Sequence, residues 1–286
     1  MKRIFLLTAA TLALAVPALA DNSTSTVIQT NSGNAANVDQ TGSLAGANST
    51  VDQSGADNAA FVTQSDDGSD FGGVAPPINE STIIQSGDGN TASLTQDTST
   101  LQLLSSSYIE QIGSDNNASV TQYDDAQSST ITQISDLNTA IVVQGDQTLA
   151  LTDESYGNTS SILQDGAGGH YAEVSQTGLL NDSTIEQYGD GNTIYVAQAG
   201  DFNSSFASQD GSGQYAEITQ SGDGNLSDLF QTGDSHQAYL LQSGNDNTSL
   251  IDQSGSGNIA NVTQSTNNNA SSVIQSGSGN TATVSQ

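Results

Sequence analysis

The chain has 286 residues, 31 acidic side chains against two basic ones, a formal net charge of −29, three prolines, no Cys and no Trp. Charge of that sign repels phosphate backbones and anionic headgroups, which disfavours nucleic-acid binding and attachment to anionic membrane surfaces. With no Cys there is no disulfide to staple the fold, and an aromatic share of 5 % cannot build a bulky core, so stability must have another source.

In chain order, residues 1–20 read as a secretory signal peptide: Lys2-Arg3, an apolar run from Ile4 to Val16, then Ala18-Leu19-Ala20 before the expected cleavage site. The apolar run is too short to cross a bilayer and no second one follows, so membrane insertion is not expected. Lys2 and Arg3 are the two basic residues of the sequence, and nothing from residue 4 onward carries Lys or Arg. The protein is expected to be exported, with residues 21–286 as one repetitive domain.

That domain is written in half-units of the form Asn-x-small-x-aliphatic-x-Gln. Specification of every second position over seven residues predicts a strand, and the Gly-containing spacers predict turns. Half-units end at Gln29, Gln40, Gln53, Gln64 and so on to Gln275 and Gln286, and from Gln176 the spacing is 11 without a break. Before the regular part, 176–286, additions fall around 41–47, 65–78, 97–104, 145–156 and Gly169. Those over 65–78 and 145–157 are long enough to be loops.

The half-units alternate in kind. Four residues before the Gln, odd halves carry Ser (Ser25, Ser49, Ser81 and onward to Ser271), whereas even halves carry Ala (Ala36, Ala60, Ala92 and onward to Ala282), with Ile194 the exception. The period is therefore 22 residues and two strands, repeated eleven times. Self-similarity of this kind predicts an all-β fold, a β-solenoid of stacked strand-turn-strand rungs with amyloid-like cross-β order. At ~4.8 Å per rung, eleven rungs make a rod of roughly 50 Å.

Because side chains alternate along a strand, the Gln, the aliphatic, the Ser or Ala, and the Asn all share the inward face. The expected structural ladder runs through Gln85, Asn90, Gln96, Gln187, Asn192, Gln198, Gln253, Asn258, Gln264, Gln275, Asn280 and Gln286. Each amide is expected to donate to its equivalent one rung away, as in cross-β assemblies, which offsets the ~1–3 kcal/mol cost of burying an unsatisfied group.

Chemistry has few candidates. His170 and His236 fall in the inward Asn slot, so they are expected to be substituted ladder residues rather than metal ligands or bases. The Asp-Gly-Asn turns (Asp88-Gly89-Asn90, Asp190-Gly191-Asn192, Asp223-Gly224-Asn225) lack the nine-residue motif of calcium-binding β-rolls, so only weak calcium association with acidic turns is expected. No phosphate loop or nucleophile elbow appears, hence no catalytic residue, cofactor or metal site is expected. Phe61, Tyr108, Tyr171, Tyr195, Phe206, Tyr215, Phe230 and Tyr239 fall on the outward face, where aromatic rings suit lateral contacts or surface adhesion.

Units such as Gln85-Ser86-Gly87-Asp88-Gly89-Asn90-Thr91-Ala92-Ser93-Leu94-Thr95-Gln96 resemble the curlin repeat of bacterial curli subunits, Ser-x5-Gln-x-Gly-x-x-Asn-x-Ala-x3-Gln, with Asn in place of the leading Ser at Asn79, Asn181 and Asn247. The resemblance implies an extracellular functional amyloid, a structural subunit of biofilm fibres that support adhesion and cell aggregation. It also implies self-association, with a nucleator subunit and secretion or chaperone factors as further partners. The alternative is a monomeric secreted β-solenoid that acts as an adhesin or binds a ligand or ion. Two expectations separate them. The rung ending at Gln286 has no polar cap after it, so Gln275, Asn280 and Gln286 should present amides and a strand edge to a second copy, and acid or divalent cations should speed assembly by relieving repulsion between carboxylates.

Overall fold

A computed structural model describes residues 23–43, 46–66, 79–98, 105–145 and 155–286. The expected signal peptide lies outside these residues, as do most of the two expected loops. The first four rungs are β1 (Thr24–Gln29), β2 (Ala35–Ser43), β3 (Ala47–Gln53), β4 (Ala59–Asp66), β5 (Asn79–Gln85), β6 (Thr91–Thr98), β7 (Ser106–Gln111) and β8 (Asn117–Tyr123). The next three are β9 (Ser128–Gln133), β10 (Thr139–Gln144), β11 (Thr159–Gly168), β12 (Tyr171–Thr177), β13 (Asp182–Asp190) and β14 (Thr193–Ala199). The last four are β15 (Ser204–Ser212), β16 (Tyr215–Gln220), β17 (Leu226–Asp234), β18 (Gln237–Gln242), β19 (Thr248–Ser256), β20 (Ile259–Gln264), β21 (Ala270–Ser278) and β22 (Thr281–Ser285).

These strands form two parallel sheets of eleven, one of the odd-numbered strands in order and one of the even-numbered. The chain is thus a β-solenoid of eleven stacked rungs. Register is that of the repeat: Ser183 pairs with Ser205, Ile185 with Ala207 and Gln187 with Gln209 on β13 and β15, and the same places meet on successive rungs. Parallel sheets usually bury both faces. Here one face alone is buried, and the strands alternate between buried and half-exposed residues from β3 to β20.

The buried face is a thin core. Ile83, Ile109, Ile131, Ile162, Ile185 and Ile251 line the odd sheet, and Val62, Val120, Val142, Val174 and Val262 line the even one, all at 0–1 % exposure. Two exceptions to the pattern fall on consecutive strands. Ile194 on β14 stands in the Ala column and Ala207 on β15 in the aliphatic column, both fully buried, so added and removed volume offset one another.

Two of the shorter expected additions coincide with register shifts between strands. Near Gly169 the extra residue is a bulge, with the register between β11 and β13 shifting between Gly166 and Gly168. A similar shift between Asp39 and Gly42 opens the 41–47 segment.

The odd strands of the regular part also run three residues past the Gln, through a Gly at positive φ (Gly189 100°, Gly211 136°, Gly233 116°, Gly255 104°). A Cβ on Gly189 would lie 2.0 Å from the carbonyl oxygen of Gly211, and one on Gly211 would lie 1.8 Å from that of Gly233, so this column admits no side chain. In the even-to-odd turns Leu180 and Phe202, both exposed, hold the left-handed conformation that Gly224, Asp246 and Asn268 take in later rungs.

Candidate functional site

Stacking places the glutamines of each sheet in one unbroken column. In the odd sheet Gln85 Nε2 donates to Gln111 Oε1 at 2.8 Å, Gln187 to Gln209 at 3.0 Å and Gln253 to Gln275 at 2.8 Å. In the even sheet Gln96 donates to Gln122 at 2.9 Å, Gln198 to Gln220 at 2.9 Å and Gln264 to Gln286 at 3.1 Å. The second Nε2 proton crosses the core to the first residue of a facing strand, as from Gln187 to the Tyr171 carbonyl at 3.0 Å or Gln253 to that of Gln237 at 3.1 Å. Each interior amide therefore uses one oxygen and both protons, and the columns bind rung to rung and sheet to sheet at once.

The asparagines do not form the side-chain-to-side-chain ladder expected of them. Asn90 Oδ1 accepts from the backbone N–H of Asn116 at 2.9 Å, and Asn90 Nδ2 donates to the Gly113 carbonyl at 2.8 Å. Asn192 accepts from Gln214 N–H at 3.0 Å and donates to the Tyr188 carbonyl at 2.8 Å. Asn258 accepts from Asn280 N–H at 2.9 Å and donates to the Ser254 carbonyl at 2.9 Å. One methylene shorter than Gln and set where the turn enters the strand, Asn reaches the turn's carbonyls sooner than an amide one rung away. Amide-to-amide bonds do occur from Asn225 to Asn203 at 3.1 Å and from Asn280 to Asn258 at 3.0 Å.

The two histidines reproduce the Asn pattern atom for atom. His170 Nδ1 accepts from Asn192 N–H at 3.2 Å while Nε2 sits 2.9 Å from the Asp165 carbonyl. His236 Nδ1 accepts from Asn258 N–H at 3.2 Å, with Nε2 3.1 Å from the Thr232 carbonyl. This pairing assigns the neutral tautomer with the proton on Nε2, since a proton on Nδ1 would confront a backbone donor. Burial holds the pKa of His170 below its ordinary 6.5, against the opposing pull of the Asp165 carbonyl and the Asp190 and Asp165 carboxylates.

On the inward face of the odd sheet, most of the Ser column is unsatisfied. The hydroxyls of Ser49, Ser107, Ser129, Ser160, Ser183, Ser205 and Ser227 are buried without a hydrogen-bond partner, whereas Ser271 donates to Ser249 at 3.0 Å. The alternation of Ser and Ala announced the 22-residue period but gave no sign of this cost.

At the final rung the columns come to the surface. Gln275 is 6 % exposed, Asn280 and Gln286 are exposed, and Ala282 and Val284 are half-buried where their equivalents inside are fully covered. As the last strands in the order of each sheet, β21 and β22 thus carry the donors, acceptors and apolar groups that interior rungs present to their neighbours.

Comparison with curated proteins gives no match. A family model for the curlin associated repeat matches residues 171–200, 189–222, 222–255 and 255–286, so the repeats of the regular part are similar to those of that family.

Proposed function

We propose that the protein is a secreted structural subunit of curli-like amyloid fibres, stacking end to end through its sheet edges and supporting adhesion and cell aggregation in an extracellular matrix. The observation that carries the reading is the in-register stack of eleven chemically equivalent rungs, whose edge offers a second copy the contacts one rung offers the next. The curlin-type repeats over residues 171–286 support it. Self-association is then the main partnership, with a nucleating subunit and export or chaperone factors completing the system.

Purified residues 21–286 should form fibres unaided, with ~4.8 Å meridional diffraction along the fibre axis. Acid or calcium should shorten the lag before growth. A chain that stays monodisperse under both conditions would overturn the reading in favour of a monomeric adhesin.

A further inference from the structure

The outer face of the even sheet carries a feature that neither the core nor the stacking uses. Tyrosines occupy four consecutive rungs: Tyr171 on β12, Tyr195 on β14, Tyr215 on β16 and Tyr239 on β18. Register sets Tyr171, Thr193, Tyr215 and Gln237 in one column and Glu173, Tyr195, Glu217 and Tyr239 in the next. The rings zigzag between columns with centroids 5.3, 6.0 and 5.5 Å apart, so they form one continuous aromatic surface.

Glu173 and Glu217 occupy the places the zigzag leaves, one rung to either side of Tyr195. Tyr171 Oη donates to Glu173 Oε2 at 2.7 Å and Tyr215 Oη to Glu217 Oε2 at 3.4 Å, which holds the carboxylates against the rings. The phenols stay neutral donors: burial, then the bond to Glu173 and its charge, push Tyr171 up to about 12, and burial with the Glu217 charge raises Tyr215.

Charge and shape select a ligand. With no Lys or Arg from residue 4 onward, these carboxylates have no Lys or Arg partner among the described residues. Ring faces carry negative quadrupole density, so rings and carboxylates attract the same sign of charge. The two carboxylates stand two rungs apart, ~9.6 Å, with the Tyr195 ring between them. A hydrated metal ion makes no use of that ring, whereas a methylene chain covers it. We propose that this stripe is a binding site for a linear polyamine, its ammonium groups at Glu173 and Glu217 and its methylenes across Tyr195.

Calorimetric titration of the full chain with spermine at low salt tests the site, with circular dichroism confirming that each variant keeps its sheet. Binding should saturate. Glu173→Gln with Glu217→Gln should weaken it about tenfold and Tyr195→Leu severalfold, while Tyr195→Phe, which keeps the ring, should match the parent. Asp228→Asn with Asp252→Asn makes the same change of charge on the opposite sheet and should leave affinity within about twofold. Absent saturation, equal weakening by the Asp pair, or displacement of spermine by magnesium at equal charge would overturn the proposal. So would a tetralysine peptide binding as tightly with the same dependence on Glu173 and Glu217, which would reassign the site to basic peptides.

Discussion

Replacing Gln209 with Leu tests whether the Gln columns are a main source of cohesion. In the native stack Gln209 Nε2 donates to Gln231 Oε1 at 2.8 Å and to the Thr193 carbonyl at 3.1 Å, and its Oε1 accepts from Gln187 Nε2 at 3.0 Å. Leu fills a similar volume but removes all three bonds. Gln231 Oε1, in a residue 1 % exposed, loses its only donor, while Gln187 Nε2 keeps its bond to the Tyr171 carbonyl. One orphaned buried oxygen and one half-satisfied amide at ~1–3 kcal/mol each place the loss at about 2–6 kcal/mol. Gln209→Glu should cost more at neutral pH, because a carboxylate would face the Gln231 oxygen with no proton to donate, and it should recover in acid where the carboxyl is protonated. Urea unfolding gives the totals, and hydrogen exchange of the amides in β13, β15 and β17 shows whether the loss is centred on that rung. The reasoning fails if Gln209→Leu lies within ~0.5 kcal/mol of the parent, or if the Glu variant is no worse than Leu at neutral pH and gains nothing in acid.

The Ser column predicts the opposite sign: Ser205→Ala removes a buried hydroxyl that has no partner and should stabilise by about 1 kcal/mol, read as a raised urea midpoint at unchanged slope. His170 predicts a pH dependence. Its folded pKa lies below the unfolded value, so the stabilisation is complete above about pH 6.5 and falls as the pH drops from there towards the folded pKa, the range in which the unfolded chain binds the extra proton. His170→Asn keeps the acceptor and the donor without the titration. Midpoints measured from pH 7.5 downward should fall less steeply in the variant, and parallel curves would exclude a role for His170.

The alternation of seven specified positions with Gly-containing spacers made the two-sheet solenoid readable from residues alone, because a period of two fixes which side chains face inward and equal spacing fixes the register. Ser against Ala at one position was enough to separate 22 residues from 11. The Asn column was misjudged for want of one length: composition shows an amide, but only the backbone of the turn shows that carbonyls at Gly113 or Ser254 lie nearer than the next amide. Leu180 and Phe202 at positive φ break local preference, and only the Gly, Asp and Asn at the same place in later rungs mark the position. The tyrosine zigzag was legible only as outward-facing aromatics. Its continuity depends on adjacent columns of neighbouring rungs, a relation visible only when the strands are laid side by side.

Every amide in the Gln columns points the same way, Nε2 towards the next rung and Oε1 towards the one before. Two copies related by a two-fold axis would bring oxygen against oxygen or N–H against N–H at their ends, so the isologous pairing by which most proteins form closed dimers is unavailable there. The arrangement the columns permit is heterologous, and the operator relating one copy to the next is then close to the one relating one rung to the next. Such an operator never closes on itself. In the end-to-end stacking proposed above, the direction of these amides therefore favours an open-ended contact over a closed one.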